Sequence, residues 1–127
     1  MMTATVTTPA AAAIAVAKTS KTFAAAFAGG VLCNWLVTMA VYMASGCSDL
    51  VSKMVAIWFP ISAFVALGFE HSVANMFMIP LGMAKGAEVT VGTFLLKNLL
   101  PVTLGNIAGA VLFTVLPFWV AFGRSSE

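Results

Sequence analysis

Charged residues make up only 8% of this 127-residue chain, against about a quarter in soluble domains. That scarcity excludes a conventional water-soluble enzyme with a polar shell. The six basic and four acidic residues leave a net charge of +2, spread thinly over the polar segments, so there is no basic patch for nucleic acid. Histidine occurs once, at His71, which excludes a haem held by two imidazoles of one chain. Cysteine occurs twice, and Cys33 and Cys47 form neither a Cys-x-x-Cys pair nor a framework with histidine, so no metal, redox centre or other cofactor is expected. Catalysis is not expected either. Ser72 beside His71 is the one suggestive nucleophile and base, and neighbours in a chain rarely bring hydroxyl and imidazole into productive geometry.

What the sequence has instead is apolar length: 61% hydrophobic residues and a mean hydropathy of +1.05 in a 13.2 kDa chain. At about 20 apolar residues per crossing, this predicts an all-α, multi-pass integral membrane protein in contact with a lipid bilayer. Residues 1–17 are Ala- and Thr-rich and lack the basic start of a secretory signal, so a flexible or targeting-like segment is expected there. The uncharged run Thr22 to Ala44 predicts the first span, closed by Ser45-Gly46-Cys47-Ser48-Asp49, where Gly suits a helix stop and Ser or Asp a following cap.

The region Met54 to Met83 is about ten residues longer than one straight crossing needs. It contains Pro60, Gly68, Glu70-His71, Pro80 and Gly82, which predicts a second span broken near 68–72. Exposed backbone is intolerable in lipid, so the break must lie against protein or a watery cavity. Discontinuous helices of this kind mark transport sites. The third span is expected over about 94–122, with Lys97 and Pro101 near its start and Arg124 beyond its end. Gly105-x-x-x-Gly109 and Ala25-x-x-x-Gly29 predict strips where helices approach closely.

An ionisable pair deep in an apolar run is costly and usually faces a pathway or a partner, so Glu70-His71 is the first candidate site; the alternative is that Glu70 pairs with a basic residue to steady the break while His71 donates to a backbone carbonyl. Asn34, an amide within the first span, needs a partner across helices and reads either as a brace for Glu70 or as a plain interhelical hydrogen bond. Lys18 and Lys21 read either as snorkelling charges or as a vestibule that concentrates anions. Asn98, Thr103 and Asn106 carry the same ambiguity between packing and a role at the site, with packing preferred.

Three runs then become recognisable. Gly68-Phe69-Glu70-His71-Ser72-Val73-Ala74-Asn75-Met76-Phe77-Met78-Ile79-Pro80 resembles the fifth-helix signature of the formate/nitrite transporter family. Leu32-Cys33-Asn34-Trp35-Leu36-Val37 resembles its fourth helix, and Asn98-Leu99-Leu100-Pro101-Val102-Thr103-Leu104-Gly105-Asn106 its sixth. The match covers residues 18–127 and corresponds to the C-terminal half of a family member.

The resemblance implies one inverted half of a six-helix, aquaporin-like channel fold, five protomers in a ring and one anion pore per protomer. It implies His71 as the central pore histidine, Glu70, Asn34 and Lys18 as its polar support, and Phe64 and Val37 as hydrophobic constrictions. The implied function is transport of small monovalent anions of weak acids such as formate, nitrite or bicarbonate, in a plasma membrane or an organelle envelope; because protonating such an acid costs less than desolvating its anion, proton-linked passage is expected. The first three helices of the family have no counterpart in the chain, for which truncation is the preferred reading. The alternative is a non-transporting membrane subunit that packs with or modulates complete protomers. Lys18, Lys21, Lys85 and Lys97 fall on one side and Lys53 and Arg124 on the other, a tally that leaves orientation open.

Overall fold

A computed structural model describes residues 4–123, with side chains from residue 10 onward; Arg124 lies outside the described residues. The described residues form helices joined by turns, without strands. Helix α1 spans Ala4–Thr19, α2 Phe23–Ser45, α3 Leu50–Ala66 and α4 Ser72–Ala84. The last helix, α5, runs continuously over Val91–Phe122.

Local chemistry sets the boundaries. Thr22 Oγ1 accepts from the Ala25 N–H at 3.2 Å and caps α2, while Asp49 Oδ1 accepts from the Ser52 N–H at 2.9 Å and caps α3. Each side chain satisfies one of the orphan donors of a helix start. Hydrogen bonds from Ser52 hold the Asp49 carboxyl below its usual range. Helix α2 stops at Gly46, as the turn residues predicted.

Helix α5 contains two wide turns, over Phe94–Leu99 and Val111–Val115. In each, an N–H reaches back five residues, Leu100 to Leu95 and Leu116 to Val111. A proline follows immediately in both cases, Pro101 and Pro117. A proline ring removes one ladder hydrogen bond and crowds the carbonyl four residues back, and a single π-type turn absorbs the misfit without ending the helix.

Packing is tightest where side chains are smallest. A Cβ on Gly30 would stand 2.8 Å from the Val102 carbonyl oxygen, and Cβ atoms on Gly105 and Gly109 would strike the carbonyl oxygens of Phe27 and Val31. Helices α2 and α5 therefore meet backbone to backbone around buried Ala26, Cys33 and Val102. Further along, Trp35 stacks on Phe113, Thr38 meets Thr114 at 2.6 Å and Tyr42 stacks on Phe118. Gly105 and Gly109 lie on the expected strip. On α2 the strip is Ala26 and Gly30, one residue on from Ala25 and Gly29.

The stretch 1–17, read from sequence as flexible or targeting-like, is helical from Ala4 onward and docks on α4. Ala is the best helix former, and Gly82 admits the Ala11 carbonyl and the Ala15 methyl where any side chain would collide. Ala15 and Ile79 are fully buried in that contact. Helix α3 packs chiefly along α2, and most of its apolar surface is open, Trp58 and Phe59 each being 69% exposed. Helices α2 and α5, at 23 and 32 residues, are long and apolar enough to cross a bilayer.

Candidate functional site

The site forms where α3 stops and α4 starts. Between them, Gly68 adopts φ +66°, a left-handed conformation that costs glycine little and other residues more. Much of the backbone at the break has hydrogen-bond partners. Phe69 N–H donates to Phe64 O at 3.0 Å and Glu70 N–H to Gly29 O of α2 at 3.2 Å. Lys21 Nζ donates to Gly68 O at 3.3 Å, and Asn106 Nδ2 of α5 donates to Glu70 O at 2.9 Å. Non-helical backbone is thus held against protein, as burial away from water requires.

Asn106 fastens three segments with one amide. Its second Nδ2 hydrogen goes to Gly30 O at 2.9 Å, and its Oδ1 accepts from Ser72 N–H and Ser72 Oγ, both at 2.9 Å. All four hydrogen-bonding positions of the amide are filled. Asn34 Nδ2 donates to the Asn106 carbonyl oxygen at 2.7 Å. Of the two readings of Asn34, the plain interhelical bond is the one present: the amide does not brace Glu70 but supports the residue that holds the break.

The Glu70 carboxylate is fully buried and meets two ammonium groups, Lys18 at 3.1 Å on Oε2 and Lys21 at 2.6 Å on Oε1. Asn75 Nδ2 adds a third donor to Oε2 at 2.6 Å. One anion between two cations leaves a local charge of +1. Asn75 Nδ2 also donates to Asn98 Oδ1, and Asn98 Nδ2 to Lys18 O, both at 2.9 Å. The carboxylate fixes the Asn75 amide with its nitrogen inward. Its Oδ1 accepts no hydrogen bond among the described residues.

His71 follows Glu70 and caps α4, its Nδ1 accepting from the Ala74 N–H at 3.4 Å. An accepting Nδ1 assigns the proton of a neutral imidazole to Nε2. The ring stacks on Phe64 with centroids 5.9 Å apart and planes at 27°. Both rings face a cavity of about 250 Å³, lined also by Lys18, Phe69, Asn75 and Met78.

Three of the residues singled out from sequence, His71, Phe64 and Lys18, thus share one cavity, and Glu70 stands behind it holding Lys18. Val37 is half-buried on α2 and does not line that cavity. Sequence reasoning missed Lys21 as a partner of Glu70, gave no role to Asn75, and read Asn98 and Asn106 as packing. The available signal was the cost of an unpaired amide in an apolar helix, which demands a partner but does not name it.

The formate/nitrite transporter family matches residues 1–120. The chain belongs to that family. A "Probable formate transporter" of Methanothermobacter thermautotrophicus is 52% identical over 111 residues, covering 86% of this chain and 40% of that protein. The "Formate channel FocA" of Escherichia coli (strain K12) is 38% identical over 128 residues, covering 87% of this chain and 45% of that protein. Among solved structures, a "Pentameric formate channel with formate bound" superposes with a TM-score of 0.83 at 34% identity, covering 91% of this chain and 52% of that one. The chain spans about half, or less, of the length of these relatives. Their names describe transporters and channels, not enzymes.

Proposed function

We propose that this chain supplies the histidine-bearing half of a membrane passage for small monovalent anions of weak acids, formate and nitrite among them, and that the passage is proton-linked. Helix α2, the interrupted pair α3 and α4, and α5 are read as three crossings, one inverted half of a six-helix channel, with five protomers in a ring. The membrane is a plasma membrane or an organelle envelope. Family membership supports this reading, as does the formate named in the pentameric relative. The single observation that carries it is the cavity where His71, Phe64 and Lys18 meet at a helix break.

In this reading the permeant is drawn in by the net positive charge of Lys18 and Lys21 around Glu70 and by the N-terminus of α4. Carrying a bare anion past Phe64 faces an idealised desolvation cost of order 20 kcal/mol, still several after relaxation. Protonating a weak acid whose pKa lies about three units below ambient pH costs only about 4 kcal/mol, at about 1.36 per unit. Neutral passage wins. With Nδ1 engaged by Ala74, His71 presents Nε2–H as a hydrogen-bond donor to the permeant's oxygen, and water supplies the proton. Val37 is proposed as a second constriction further along α2, and Asn34 acts through Asn106.

The test is purified chain in liposomes under an imposed formate gradient. Proton-coupled formate uptake above that of empty liposomes is the expected result. Membrane-inserted chain without flux would favour the non-transporting subunit instead.

A further inference from the structure

Away from the His71 cavity, a second recess forms where the α1–α2 turn meets the start of α5. Ser20, Lys21, Thr22 and Phe23 from the turn, with Leu96 and Lys97 from α5, enclose about 310 Å³. Lys97 interrupts the apolar 32-residue helix within its first wide turn. Both ion pairs among the described residues are made by Glu70, with Lys18 and Lys21, so Lys97 faces the recess without a carboxylate. Lys21 gives two of its three N–H groups to Glu70 Oε1 and Gly68 O and has one left. Thr22 Oγ1 accepts from Ala25 N–H, which leaves its own hydrogen to donate outward. The recess therefore gathers two cations and a hydroxyl with no acidic side chain in its lining.

We propose that this recess holds the phosphodiester headgroup of an anionic phospholipid, with Lys21 and Lys97 as the paired cations and Thr22 as a further donor. A lysine in an apolar helix places its charge at headgroup level while its stem stays in hydrocarbon. Phe23 and Leu96, 55% and 66% exposed, flank the recess with apolar surface suited to the start of an acyl chain and of no use to a soluble anion. The inference rests on reading α2 and α5 as membrane-crossing helices and shares Lys21 with the proposed anion passage. A headgroup here would touch the same ammonium that holds Glu70.

The experiment is the thermal midpoint of the purified chain in neutral detergent with added phosphatidylglycerol, phosphatidylcholine or inorganic phosphate. Phosphatidylglycerol is expected to raise the midpoint by several degrees and the other two to leave it unchanged. Lys97→Gln is expected to keep the lipid-free midpoint and lose the phosphatidylglycerol shift, and Lys97→Arg to retain it. Equal shifts from both lipids, a shift reproduced by inorganic phosphate, or a phosphatidylglycerol shift that survives Lys97→Gln would each overturn the proposal. Alkaline extraction of membranes containing the chain tests the crossing helices separately: release into the supernatant would sink that reading whatever the lipid result.

Discussion

Lys21 Nζ lies 2.6 Å from Glu70 Oε1 across 49 positions of chain, and the carboxylate it meets is wholly removed from solvent. Lys18 completes the arrangement from the last turn of α1. The two ammonium groups, together with Asn75, are what permit a charged glutamate at the end of an interrupted helix, because an uncompensated buried charge is far more costly than a paired one.

Glu70→Gln should therefore destabilise the chain by about 3–5 kcal/mol, the usual cost of removing one partner of a buried pair. Lys21 is 36% exposed against 15% for Lys18, and solvent screening discounts its contribution. Lys21→Gln should cost about 1 kcal/mol or less and Lys18→Gln more. Unfolding in mixed detergent ranks the three variants, and equal losses for the two lysines would contradict the assignment of Lys18 as the buried partner.

The backbone-to-backbone contact of α2 and α5 gives a sharper contrast. Gly105→Ala and Gly109→Ala drive a methyl into the carbonyl oxygens of Phe27 and Val31, and forcing extra volume into a packed contact typically costs about 1–3 kcal/mol. Gly92→Ala, whose added methyl meets nothing nearer than Thr90 Oγ1 at 3.9 Å, should be neutral or stabilising by up to about 1 kcal/mol. The same unfolding assay separates the two classes.

Asn106 is where the break is fastened. Asn106→Leu strands the Gly30 and Glu70 carbonyls and the Ser72 N–H that the amide now serves, at about 1–3 kcal/mol for each unsatisfied buried group. Faster hydrogen exchange at Ser72 and Glu70 than in the native chain is expected, with exchange in the middle of α2 little changed. Uniform acceleration throughout would mean that the amide steadies the whole bundle and not the break.

Much of this was legible in the sequence because it is local. Gly68 followed by two ionisable residues in an apolar run marked the break, and Gly46 and Asp49 marked the turn before α3. The partners of Glu70 were not legible, since Lys18 and Lys21 lie 52 and 49 positions away and nothing in a linear spacing links them. Asn34 illustrates the same limit: an amide that needs a partner was recognised, but the partner, Asn106, is 72 positions on. The glycine strip on α2 reads one residue early in the sequence because Ala24-Ala25-Ala26 and Gly29-Gly30 put small residues on several faces at once. Helix α1 is not legible in the sequence because it has no amphipathic pattern of its own and docks through contact with α4 at Gly82.

The most direct test of the central claim is formate flux through liposomes containing the chain, measured across a pH series for the native sequence and for His71→Asn. Asparagine keeps an acceptor to cap α4 but withdraws the donor from the position that imidazole Nε2 reaches. The account predicts flux that rises as pH falls in the native chain and is about tenfold lower in His71→Asn, the loss of roughly one hydrogen bond to the permeant. Flux and pH dependence that are both unchanged by the substitution would contradict it.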